Sequence, residues 1–105
     1  MRRSARRCPA HATLDAVGGD WKVPIVWHLF DGTKRFSELL RALEPITQKT
    51  LTQQLRQLER DGIVSRKVYA QVPPKVEYSL TPRGMSLKPV VMAMCRWGKG
   101  RCGPR

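Results

Sequence analysis

Two amphipathic helical patterns, RFSELLRAL and ITQKTLTQQLRQLERDG, meet at Glu44-Pro45, and few architectures place such a pair so close together. Phe36, Leu39, Leu40 and Leu43 fall on one side of a helix at about 100° per residue. Pro45 has no N–H and disfavours helical backbone at Glu44, so the first helix is predicted to stop near Leu43 and the chain to turn. Thr47 then offers an N-cap, Leu51, Leu55 and Leu58 form a stripe at i, i+4 and i+7, and Asp61-Gly62 supplies the stop.

Opposite those leucines the same arithmetic places Lys49, Gln53, Arg56 and Arg60, with Gln48 and Thr52 towards one flank. None of them is acidic. A helix face that serves only solvation usually mixes charge signs for pairing along the helix. This row gathers amides, hydroxyls and cations instead, the groups that pair with base edges and phosphates. The expectation is a helix-turn-helix whose second helix, residues about 47–61, enters a DNA groove.

The rest of the composition agrees with a polyanionic partner. Twenty Lys and Arg against eight Asp and Glu give a net charge of +12 in 105 residues. An isolated copy repels itself and attracts nucleic acid or, as the other polyanion, an anionic membrane surface. A chain of this length is one domain that buries only about 60 to 70% of its accessible surface, so dimerisation would add useful burial. The longest apolar runs, Val23 to Trp27 and Val90 to Cys95, fall far short of the roughly 20 residues that span a bilayer. The basic start MRRSARR is followed by Cys8-Pro9-Ala10-His11 and Asp15 rather than an apolar signal segment, and a cytoplasmic protein is expected. Cys8, Cys95 and Cys102 are odd in number and widely spaced, which argues for reduced thiols over a disulfide framework.

Residues 1–7 read as a flexible basic arm. Thr13 to Val17 before Gly18-Gly19 is predicted to be a short helix with Leu14 and Val17 on one side. Trp21 to Phe30 reads as a buried helix capped by Asp20, with Pro24 in its first turn and Asp31-Gly32 at its end. Ile63 to Tyr69 and Val76 to Leu80 are rich in β-branched and aromatic residues and flank Gln71-Val72-Pro73-Pro74-Lys75, so they form a hairpin, a wing over about 64–80. One face of it packs while Arg66, Lys67 or Lys75 reaches solvent or phosphate. After the cap Thr81-Pro82, Leu87, Val90, Val91, Met94 and Trp97 recur at helical spacing in a helix that Pro89 is expected to kink. That stripe either closes the core or faces a second copy, the reading preferred here. Gly98 to Arg105 reads as a flexible tail, leaving residues 8–97 as the folded domain.

With these elements in order, the chain closely resembles the HxlR-type family of bacterial winged-helix transcriptional regulators. The resemblance rests on CPAHATLDAVGGDWKVPIVWHLFDGTKRFSELLRAL, ITQKTLTQQLRQLERDGIVSRKVY and VPPKVEYSLTPRG, from Cys8 to nearly Trp97. It implies an α+β winged helix-turn-helix, mainly helical with a two- or three-stranded wing, and a homodimer joined through the first and last helices, with Leu14 and Val17 beside the terminal stripe. It also implies two recognition helices in successive major grooves of a pseudo-palindromic operator. On that pattern Gln48, Lys49, Thr52 and Gln53 read bases, and Arg56, Lys67 and Lys75, joined by the wing's Arg66, contact phosphates.

Cys8 sits where the family commonly has a cysteine, a thiol that senses oxidants or electrophiles in several members. Arg6, Arg7 and the nearby helix start surround it with positive potential. Against that stands a small apolar residue packed at the dimer seam. Cys8 and His11 alone do not make a zinc site, which needs about four ligands, so neither metal nor cofactor is expected. No nucleophile with a base, carboxylate pair or phosphate-cradling glycine loop has a useful spacing, so an enzyme is not expected. Two other functions fit the same charges: a winged helix binding nucleic acid without sequence choice, and a protein-interaction module whose cations only solubilise it.

Overall fold

The computed structural model describes residues 8–102. In chain order they form α1 (Pro9–Val17), α2 (Lys22–Leu29), β1 (Lys34–Arg35), α3 (Phe36–Ala42), α4 (Gln48–Arg60), β2 (Val64–Tyr69), β3 (Lys75–Leu80), α5 (Pro82–Met85) and α6 (Lys88–Cys102). The basic arm at 1–7 and residues 103–105 lie outside the described residues. No described helix is long and apolar enough to cross a membrane.

The leucine stripes build the interior. Leu39 and Leu43 from α3 and its end, Leu51, Leu55 and Leu58 from α4, and Ile25, Val26 and Leu29 from α2 are all buried in one cluster with Ile63, Val64 and Tyr78. Helix α3 ends at Ala42 with Leu43 as its C-cap, and α4 starts after Thr47, whose side chain accepts a hydrogen bond from the Thr50 N–H at 3.1 Å. That bond satisfies one of the amides a helix start leaves open. Gly62 follows α4 with φ +77°, a left-handed conformation that favours glycine.

Helix α1 begins at Pro9, four residues before the expected Thr13, with Cys8 as an extended N-cap residue. Pro9 suits the first helical position, where its missing N–H has no intrahelical partner to lose. The residue flanking α2 is Trp21, not Asp20, and no side chain caps that helix.

The sheet has a third strand. β1 pairs antiparallel with β3 through Lys34↔Tyr78 and Arg35↔Glu77, giving the order β1-β3-β2. The hairpin itself runs in register from Val64↔Leu80 to Tyr69↔Lys75. Its core-facing alternation holds only at the base, where Val64 and Tyr78 are buried, whereas Val68 is 51% exposed because the hairpin projects beyond the helices. This is a winged helix-turn-helix.

Two expectations for the C-terminal third are corrected. The predicted kinked helix is two helices: α5 ends at Met85, and Pro89 lies in the first turn of α6, where it is tolerated. Helix α6 also continues past Trp97 to Cys102, because adding one hydrogen-bonded residue to an existing helix is easier than nucleating one, even through Gly98. A third correction concerns the expected seam. Val17 and Val91 are 2% and 0% exposed within the single chain, so its own packing consumes them, and Leu87 packs against the core. Leu14 on α1 and Val90, Met94 and Trp97 on α6 remain exposed, Leu14 at 57% and Trp97 at 69%.

Thr81 ties the wing to the helix stop. Its hydroxyl donates to the Gly62 carbonyl, its N–H donates to the Ile63 carbonyl at 3.0 Å, and its Oγ1 accepts from the Gly84 N–H at 3.0 Å. Gly84 is buried so close to the Ile63 carbonyl that a Cβ there would collide with it.

Candidate nucleic-acid interface

The burial of Leu51, Leu55 and Leu58 leaves the other side of α4 outside. Gln48, Lys49, Gln53, Arg56 and Arg60 are exposed and Thr52 is half-buried. The four expected base readers therefore share the N-terminal half of one helix, the half that enters a groove deepest in helix-turn-helix docking. Thr52 differs from the other three: its hydroxyl donates to the Gln48 carbonyl at 2.8 Å, so it can offer a partner only its lone pairs and methyl group.

The cations grouped in the sequence as phosphate contacts divide between two faces of the hairpin. Arg66 lies on the side of α4 and lines a cleft with Thr52, Arg56, Glu59 and Tyr78. Lys67 lies on the opposite face, where strand pairing sets it across from Glu77 and sets Tyr69 across from Lys75. Both ammonium groups approach the Tyr69 ring, Lys75 at 4.2 Å and Lys67 at 5.1 Å from its centroid, within cation–π range. The Lys75 Nζ also lies 3.8 Å from Glu77 Oε2, which offsets part of its charge.

Four participants were not evident from the sequence. Tyr69 gathers Lys67 and Lys75, and its cross-strand pairing with Lys75 becomes visible once the hairpin register is known. Glu59 is an acid beside Arg56 and Arg66, hidden because helical spacing places it off the outward row. Arg35 and Ser37 line a cleft with Pro74 and Lys75 at the wing tip, brought there by β1, which at two residues is too short to show an alternating pattern.

Cys8 is exposed, and its Sγ lies 3.6 Å from His11 Nδ1, one turn along α1. Among the described residues no three His, Cys, Asp or Glu side chains gather as metal ligands would.

The chain matches the HxlR-like helix-turn-helix family over residues 16–105. It is 55% identical over 92 residues to the uncharacterized HTH-type transcriptional regulator YdeP of Bacillus subtilis (strain 168), which covers 88% of this chain and 72% of that relative. The redox regulator HypR superimposes in both described states. In its reduced form the TM-score is 0.87 at 53% identity, covering 91% of this chain and 95% of HypR. In its oxidized form the TM-score is 0.83 at 56% identity, covering 89% and 96%.

Proposed function

The chain belongs to the HxlR-like helix-turn-helix family, and from that premise we propose that it is a homodimeric, sequence-specific regulator of transcription that acts on double-stranded operator DNA in the cytoplasm and performs no catalysis. The observation that carries this reading is the outward row Gln48, Lys49, Thr52 and Gln53 on α4, opposite a buried leucine stripe and free of acids. A side chain can read a base only if it is held on a rigid element and left accessible, and Gln48, Lys49 and Gln53 are exposed on α4 while Thr52 is partly so. Arg56, Arg66, Lys67 and Lys75 hold the backbone.

Two copies join through Leu14 on α1 and Val90, Met94 and Trp97 on α6, apolar side chains of the first and last helices that the single chain leaves exposed. A dimer with its two α4 helices about one helical turn apart on the duplex reads half-sites with centres about 10 base pairs or a multiple apart. Cys8 is the thiol through which an oxidant or electrophile alters the dimer and releases DNA. Its support is exposure and the neighbouring His11 imidazole, together with the likeness to the redox regulator HypR, which is over half identical.

Selection of bound duplexes from a random pool, followed by footprinting of the winner, tests this proposal. It should yield one two-fold-related site bound at least about 10³-fold more tightly than random duplex at matched salt. Equal binding to all duplexes would mean a non-specific nucleic-acid binder, and no binding near physiological salt would point to an interaction module.

A further inference from the structure

Arg56 and Arg66 come from different elements, a helix and a strand, yet line one cleft of about 210 Å³ with Thr52, Glu59 and Tyr78. Two arginines lining one small space bring like charges together, and an anion that enters between them relieves their repulsion. Neither forms an ion pair with another described residue, and both are exposed to an incoming ligand. Tyr78 is buried and closes the cleft on the core side, while the Thr52 hydroxyl hydrogen is already engaged with the Gln48 carbonyl. The charged donors lining the site are the planar, forked guanidiniums, whose geometry matches phosphate oxygens.

Glu59 sets the charge. Two guanidiniums and one carboxylate leave a single net positive charge, equal and opposite to that of one phosphodiester. The Glu59 carboxylate also repels any phosphate that enters, whatever the base sequence.

We propose that the cleft between α4 and the wing clamps one DNA backbone phosphodiester between Arg56 and Arg66, and that Glu59 restrains its affinity so that binding energy is left to the base-reading row. This rests on the DNA-binding reading above and deepens it: helix and wing are fastened to the same phosphate instead of to separate ones. Holding both elements on one phosphate fixes the entry angle of α4, and lowering backbone affinity raises the share of affinity that depends on sequence.

The test is a double-mutant cycle read by fluorescence anisotropy on two probes, the selected site and a random-sequence 30-base-pair duplex, across a salt series. Because a phosphate contact is blind to sequence, the random duplex reports on the clamp even if no selective site exists. R56A and R66A should each weaken binding several-fold, and the double variant should lose far less than the product of the two, with the salt slope reduced by about one. Multiplicative losses with a slope reduced by about two would mean two separate phosphates and would overturn the clamp. E59Q should bind both probes several-fold more tightly, with its thermal stability unchanged. Unchanged or weaker binding by E59Q would overturn the role given to Glu59. R56Q and R66Q repeat the cycle with side chains that keep their length, so a loss of fold in an alanine variant leaves the result readable.

Discussion

At the residue scale the interface divides by what each side chain can discriminate. Gln53 stands exposed on α4 with an amide that can pair bidentately with adenine, so Gln53→Ala should cost about 1 to 3 kcal/mol on the selected site and relax preference at one base pair. Lys67, across the wing beside Tyr69, is a backbone contact in the proposed complex, so Lys67→Ala should weaken every duplex alike and lower the salt slope by about one. Anisotropy on matched and mismatched duplexes separates the two; sequence-blind losses from both would refute the division. Cys8 makes a different prediction. Diamide should release the wild-type protein from its site and leave Cys8→Ser bound, and equal binding by both proteins in the reagent would assign Cys8 a packing role. The outward row was legible in the sequence because helical periodicity alone fixes which side chains oppose Leu51, Leu55 and Leu58. The grouping of Arg66 with Arg56, and of Lys67 with Lys75, was not, because it depends on which face of the hairpin lies against α4, and that is decided by packing at Val64 and Tyr78.

At the scale of elements, chain punctuation did most of the work. Pro45, Thr47 and Gly62 each act through local backbone chemistry, and α3, the turn and α4 appear where those residues put them. Thr47→Ala should therefore cost about 1 kcal/mol, the worth of a lost cap, measured by denaturant unfolding. The α5 junction obeys tertiary contact instead. Gly84 lies so tightly under the Ile63 carbonyl that Gly84→Ala should cost about 1 to 3 kcal/mol through overpacking, seen as a lowered midpoint in thermal unfolding. An unchanged midpoint would show that α5 can shift without loss. That close approach explains why a cap and a stripe predicted one kinked helix where there are two: Thr81 and Gly84 pin α5 to the start of the wing, and the chain must restart at Lys88. Strand β1 was invisible for a related reason, since two residues owe their pairing to β3 and not to any pattern of their own.

For the whole molecule, a charge of +12 on 105 residues makes association with any duplex steeply salt-dependent and self-association costly, so the proposed dimer requires apolar contact to hold it. Met94→Glu with Trp97→Glu should convert it to a monomer in sedimentation and reduce affinity for the paired site far more than for a single half-site. A dimer that persists would place the seam elsewhere. Helix α6 meets these demands by dividing its positions: Val91 is sealed within its own subunit, while Val90, Met94 and Trp97 on the same helix point away. In the proposed dimer, substitutions at those three would change the seam and leave the interior intact, so duplicated genes from one ancestor could evolve mutually exclusive pairings while each copy continued to fold as before.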